Sequence, residues 1–295
     1  MQSAGLRAME MAAEAKKTYI PYIDKCFPQF PATSRGYPDS STIRISPDSR
    51  SEKRLRFAVV DGDPVDVALG WCAEEATAIP VVNVADDNRP GGNWETGTIA
   101  PEEILCRRSN LIQTLGTTSN KYSHYPIPPT GGIYSPHVVV FREGPDHYKV
   151  WKGEEFRVLP VISVAPVRRP KLNEAGTQYA FTAARELMKE KLRTILRIAA
   201  DNQYKMLCVG AFGVGPGFLN PAGEVAAMWK DVPFEEEFRG VFRAIVFAIK
   251  KPKDESVGEG ETEYDIFNAQ FRLASNFYSY VTPPPQEHTP HQHAR

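Results

Sequence analysis

Cysteine is scarce in this chain. Four residues in 295, Cys26, Cys72, Cys106 and Cys208, include no Cys-x-x-Cys pair. That excludes a zinc-ribbon spacing and a disulfide-stapled scaffold, and it reads as reduced thiols in a cytoplasmic or nuclear protein. Net charge is nearly absent too, with 35 Lys and Arg against 36 Asp and Glu. No global field draws the chain to nucleic acid or to an anionic membrane, so any anionic ligand must be held by a local site. Long apolar runs are also missing. No stretch approaches the roughly 20 residues of a membrane helix, and the Ala- and Lys-rich first twenty residues lack the apolar centre of a secretion signal. What is present is an ordinary globular composition, 42% hydrophobic and 24% charged. A chain of this length buries about three quarters of its unfolded surface and needs no metal or disulfide to close a core.

Hydrophobic spacing divides the chain. Leu6, Met9, Ala12 and Ala13 predict a short amphipathic helix. From Pro21 to Ser51, prolines, serines and aromatics predict a long irregular arm. Strand-like runs then alternate with helical ones: Phe57–Asp61, a helix over Pro64–Glu74, Ile79–Ala85, and a helix over Pro101–Leu115. Further strands are expected at His137–Arg142, Val158–Ala165, Met206–Phe212 and Ala244–Ile249. This alternation predicts an α/β sheet with helices on its faces. A helix over Gln178–Ala200 carries Ala184, Leu187, Met188, Leu192, Ile195 and Ile198 along one side. After a polar stretch at Lys250–Glu263, a last helix over Asp265–Asn276 presents Phe267, Phe271 and Ala274. The expected organisation is an N-terminal helix and arm at 1–55, a main α/β domain at 56–280 and a disordered tail at 281–295. The histidines of that tail are not read as a structural metal site.

Two glycine loops stand where strands turn into helices. The first, Asn88-Arg89-Pro90-Gly91-Gly92-Asn93-Trp94, is either a tight surface turn or a backbone nest for a phosphate. The second runs from Gly210 to Asn220 through Gly213, Val214, Gly215, Pro216, Gly217 and Phe218. Its Gly-x-Gly-x-Gly differs from the dinucleotide fingerprint and lies late in the chain, which disfavours a Rossmann dehydrogenase. A strand followed by exposed amides and a helix start remains an anion site on physical grounds. Together the loops suit a diphosphate gripped from both sides, although two unrelated turns would look the same in sequence.

Glu102 and Glu103 follow Pro101 at the start of a helix. Proline and then acids is what a plain helix start looks like, because the macrodipole favours negative charge there. It is equally the pattern of a working pair. Neighbouring helix residues point about 100° apart, so one carboxylate can hold ribose hydroxyls while the other meets the bond to be broken.

The ordered set Pro90-Gly91-Gly92, Gly97, Glu102-Glu103, Leu105-Cys106-Arg107-Arg108-Ser109, Ile133-Tyr134-Ser135-Pro136, Val138 to Arg142, Ala165-Pro166 and Gly210 to Asn220 resembles the microbial-type poly(ADP-ribose) glycohydrolases. The resemblance runs from about residue 57 to 249. It implies a three-layer α/β/α macrodomain-like fold with a mixed sheet and an N-terminal helical or irregular extension. It implies cleavage of the ribose–ribose bond of poly(ADP-ribose), with Glu103 as general acid and Glu102 as its catalytic neighbour on the ribose. Gly91, Gly92, Asn93, Gly213, Val214, Gly215, Gly217, Phe218 and Asn220 would line the ligand, and Phe218 would pack on the terminal ADP-ribose. No metal and no cofactor is implied. The partners implied are ADP-ribose, its polymer and ADP-ribosylated proteins, with a monomeric chain that binds neither membrane nor specific nucleic-acid sequence. Four positions depart from the family pattern: Asn93 in place of a third glycine, Pro101 in place of Gln, Pro216 within the second loop, and Asp86 where Asn or Ser is common. These departures keep two alternatives open, a mono-ADP-ribosyl hydrolase and a non-catalytic ADP-ribose reader.

Overall fold

The computed structural model describes residues 4–46, 50, 54–75, 77–116, 124–252 and 261–272. Seven strands form one sheet: β1 (Arg35–Tyr37), β2 (Arg56–Val60), β3 (Val81–Val84), β4 (Gly132–Val140), β5 (Arg157–Val164), β6 (Met206–Val209) and β7 (Ala244–Ala248). Their order is β1-β4-β5-β3-β6-β7-β2. The five strands from β5 to β2 run parallel, while β4 and β1 close one edge antiparallel. Parallel strands covered on both faces read as unbroken apolar runs, and β5, β6 and β7 do so.

Helices cover both faces, so the layers are α/β/α. On one side lie α1 (Ala4–Glu14), α2 (Ile20–Cys26), α3 (Pro64–Glu75), α4 (Pro101–Arg108) and α5 (Leu111–Gly116). On the other lie α6 (Thr182–Asp201), α7 (Ala222–Asp231) and α8 (Glu263–Arg272). The expected fold class is the one observed.

Local departures have physical causes. The first helix buries Ala8, Met11 and Ala12, and leaves Leu6 and Met9 exposed, so its packed face is rotated from the one predicted. A single π-helical segment at Ala15–Tyr19 leads into α2, with Pro21 tolerated in its first turn. The arm is less irregular than its composition implies. Arg35–Tyr37 pairs with β4, and the Tyr37 hydroxyl donates to Asp201 Oδ2 at 2.7 Å. The predicted helix over Pro101–Leu115 breaks at Ser109, whose backbone is extended and bridges to Val140 of β4. There the Ser109 hydroxyl donates to Leu105 O and accepts from Leu111 N, a side-chain alternative to helical bonding. Strand β4 starts at Gly132 rather than His137, because Pro136 sits in a register shift between Ser135 and Val138 where no ladder bond is lost. On α6, Leu187 is exposed while Leu196 and Ala199 complete the buried face. The tail at 281–295, residues 253–260 and the end of the last predicted helix lie outside the described residues. All four cysteines are free thiols.

Candidate active site

The loops that follow β3, β5 and β6 all leave from the carboxyl edge of the parallel strands, where open α/β sheets bind ligands. The first glycine loop follows β3. Gly91 and Gly92 both have positive φ, +70° and +55°, a region L side chains rarely adopt. A Cβ at Gly92 would lie 2.7 Å from Glu103 Oε1, which would have to shift, and at an ordinary contact distance of 3.4 Å from Glu102 Oε2. The turn at Gly92 therefore packs closely on the Glu103 carboxyl. A Cβ at Gly91 would meet Ile112, Cys106 and Trp94, so this glycine serves packing.

Helix α4 carries the acids at its second and third positions, with Pro101 at the first, where an amide would be unpaired in any case. Glu103 Oε1 accepts from the backbone N–H of Asn93 at 3.1 Å, and the residue is 8% exposed. Glu102 is 2% exposed, and both its oxygens are taken: Oε1 accepts from Asn83 Nδ2 at 3.1 Å and Oε2 from the Asp86 amide at 2.7 Å. Burial pushes its carboxyl up to about 8 against the pull of those two donors, with the neighbouring charges of Glu103 and Asp86 adding to the rise. The opposite end of α4 is anchored by Arg107, which donates to Trp94 O and Thr96 O. Arg108 is forked between Asp63 and Asp66.

Asn83 and Ser163 are register partners on β3 and β5, and the Asn83 amide also donates to Ser163 Oγ at 3.1 Å. Asn83 Oδ1 is buried without a hydrogen-bond partner. Turning the amide by 180° aims that acceptor at Glu102 and at Ser163, the arrangement a protonated Glu102 requires.

The second glycine loop follows β6. Gly213 has φ +76°, and a Cβ there would lie 2.7 Å from Pro166 Cβ. Gly215 and Gly217 have open space where a Cβ would stand. Turn bonds use the amides of Val214, Phe218, Leu219 and Asn220, and those of Gly213, Gly215 and Gly217 donate to none of these acceptors. The loop is tied to the one after β5: Arg169 N donates to Phe218 O at 2.6 Å, and Asn220 Nδ2 donates to Val167 O and Gly213 O at 2.7 and 2.8 Å. Asn220 Oδ1 accepts from Tyr179. Phe218 is half-buried beneath the Arg168 guanidinium, whose carbon is 4.9 Å from the ring centroid.

The expected site residues thus gather at one edge, with two refinements. Asn220 is 3% exposed with its whole amide occupied by protein groups, so it braces the loop instead of facing a ligand. Asn93 serves Glu103 through its backbone, while its side chain accepts from Arg89 at 3.3 Å. Asn83, Ser163 and Arg168 were not foreseen. Nothing in the local sequence marks them, because strand register and loop closure bring them to the acids. A cavity of about 280 Å³ lies beside this edge, lined by Asn83, Pro101, Ile104, Gly210, Ala211 and Ile249 among others, with neither acid and none of Gly91, Gly92, Gly213, Gly215 or Gly217 in its wall. A larger one of about 530 Å³, near Asp66, His147 and Trp151, includes neither acid and no residue of either glycine loop.

A three-layer α/β/α domain with two glycine loops and an acid pair at one sheet edge is macrodomain-like. The family resemblance read from the sequence agrees with this: residues 6–143 match the family model described as Microbial-type PARG, catalytic domain. The chain is similar in structure to poly(ADP-ribose) glycohydrolase from Thermomonospora curvata, with TM-score 0.68 and 19% identity over 90% of this chain and 99% of that one. It is also similar to the inhibitor ADP-HPD complex of the glycohydrolase from that organism, with TM-score 0.66, 20% identity and coverage of 90% and 99%. The Deinococcus radiodurans glycohydrolase in complex with ADP-ribose matches with TM-score 0.66 and 22% identity over 84% and 98% of the two chains. No curated protein matches. Among the described residues, no helix is long and apolar enough to cross a membrane.

Proposed function

We propose that the protein is a poly(ADP-ribose) glycohydrolase that binds a terminal ADP-ribose unit at the carboxyl edge of the sheet and hydrolyses its ribose–ribose bond. The observation that carries this reading is the contact between Gly92 and the Glu103 carboxylate. It sets a proton donor against a backbone that a sugar can approach without meeting a side chain. Gly92, held in its turn by the packed Gly91, shapes the ribose side, the amides of Gly213, Gly215 and Gly217 are left for the diphosphate while the Val214 amide closes the turn that presents them, and Phe218 packs on the terminal unit. Asn93 and Asn220 hold the two loops in place.

Glu103 protonates the departing ribose oxygen as the anomeric carbon develops oxocarbenium character, and water completes the hydrolysis. Glu102, with both oxygens engaged, holds the Asp86 turn and through it the ribose loop. The reader alternative leaves the Gly92–Glu103 contact without a purpose. The protein acts on the polymer or its conjugates in the cytoplasm or nucleus, as a monomer.

Gly92→Ala tests the carrying observation. Its Cβ would displace Glu103, so turnover of poly(ADP-ribose), followed by chromatography of released ADP-ribose, is expected to fall at least about 100-fold, within the usual contribution of a general acid. Wild-type turnover in this variant would contradict the assignment.

A further inference from the structure

A cation spans the mouth between the two glycine loops. Arg168 leaves the loop after β5, and its Nη2 donates to Asp86 Oδ2 at 2.9 Å, with Asp87 Oδ1 at 3.7 Å. The same guanidinium lies over the Phe218 ring. One side chain therefore touches the loop that holds Glu102 and the loop expected to grip a diphosphate. Its backbone is fixed on both sides, by Asn220 on Val167 O and by the Arg169 amide on Phe218 O. The side chain itself is 47% exposed. The base of the strap is rigid and its tip is free to exchange partners.

We propose that Arg168 is a specificity-determining residue that selects a diphosphate-bearing ligand, releasing Asp86 to bind the phosphates while its planar face stays on Phe218. This inference rests on the ADP-ribose reading above and adds to it the group that recognises charge. Three observations support it. The chain has a net charge of −1, so recognition of an anion must come from a local site, and Arg168 and Arg169 stand beside the second loop as cations that can add to its backbone amides. The ion pair with Asp86 is half open to water, and such a pair is worth at most about a fivefold shift in an equilibrium. A phosphate offers the same guanidinium a two-pronged, charge-assisted bond, which is the stronger partner.

Asp86 is then a competitor as well as a support. Its Oδ1 accepts from the Asn88 and Arg89 amides, and its own amide donates to Glu102. Asp86→Asn keeps that acceptor and that amide while removing the charge that holds Arg168. The substitution is therefore expected to tighten ADP-ribose binding, a direction that loss of structure does not produce.

The test is calorimetric titration of the full-length protein with ADP-ribose and, separately, with adenosine, which lacks phosphate. Arg168→Ala is expected to weaken ADP-ribose about tenfold and to leave adenosine within twofold, with an unchanged melting temperature. Arg168→Lys should fall between wild type and Arg168→Ala, since it keeps the charge and loses the fork. Asp86→Asn should tighten ADP-ribose about threefold in the wild-type background and have no effect in the Arg168→Ala background. Unchanged ADP-ribose affinity in Arg168→Ala, tighter binding there, or an equal loss for adenosine would each overturn the role of Arg168 while leaving the ADP-ribose reading intact. Failure of the wild-type protein to bind ADP-ribose at all would overturn both.

Discussion

Glu102 and Glu103 are neighbours in sequence, yet their surroundings divide their work. Glu103 takes one amide from Asn93 and borders the space that Gly92 leaves, whereas Glu102 is sealed between Asn83 and the Asp86 amide. That seal has a consequence for pH. The folded protein holds the Glu102 carboxyl at about 8, far above its ordinary value of 4.5. Between those values the native state keeps a proton that the unfolded chain has lost. The group's stabilising effect is therefore complete below about pH 4.5 and is lost as pH rises towards 8, a change on the order of a few kcal/mol. Gln at position 102 stays neutral throughout, and the Asn83 amide can turn to receive it. The melting temperature of Glu102→Gln relative to wild type is expected to rise steadily from pH 5 to pH 8, as followed by calorimetry. A constant difference across that range would mean that Glu102 does not titrate there. The acid pair was legible in the sequence, because Pro-Glu-Glu places it at a helix start by local rules. Its partners were not, because Asn83 and Ser163 meet only through the β3–β5 register, 80 residues apart in the chain.

At the level of elements, two glycines of the second loop do different jobs. Gly213 needs its positive φ and has Pro166 against it, whereas Gly215 has neither constraint and borders open space. Gly213→Ala is therefore expected to lower the melting temperature through backbone strain and a clash with Pro166. Gly215→Val is expected to keep the wild-type melting temperature and to weaken ADP-ribose binding by about tenfold or more, because its side chain fills space the diphosphate needs. Thermal melts beside titrations separate the two, and identical behaviour of both variants would remove the distinction. Sequence spacing located this loop correctly between a strand and a helix, and most strand and helix ends fall within a few residues of prediction. The misses lie where side chains replace backbone bonding, at Ser109 between α4 and α5, or where a bulge absorbs a proline, at Pro136 in β4.

Over the whole molecule, the sheet explains why an arm that reads as irregular text is integral to the fold. The segment supplies β1, which pairs with the start of β4, and the Tyr37 hydroxyl is shared between Asp201 and Asn202 at the end of α6. An exposed β4 edge would be a site for unwanted pairing, and β1 covers its first three residues, Gly132 to Tyr134. A three-residue strand among prolines and serines carries almost no sequence signal, since its pairing is decided by a partner about 100 residues away. The same architecture sends the loops after β3, β5 and β6 to one edge, where Glu103, the two glycine loops and Arg168 converge. On the proposed reading this edge hydrolyses poly(ADP-ribose) with Glu103 as the proton donor. The most direct test of that reading is incubation of purified wild-type protein and Glu103→Gln with auto-modified poly(ADP-ribose), alongside titration of both with ADP-ribose. Wild type is expected to release ADP-ribose, the variant to lose about 10²–10⁴-fold in turnover, and the two ADP-ribose affinities to lie within about tenfold of each other. Equal turnover by the two proteins, or binding without release by wild type, would contradict it.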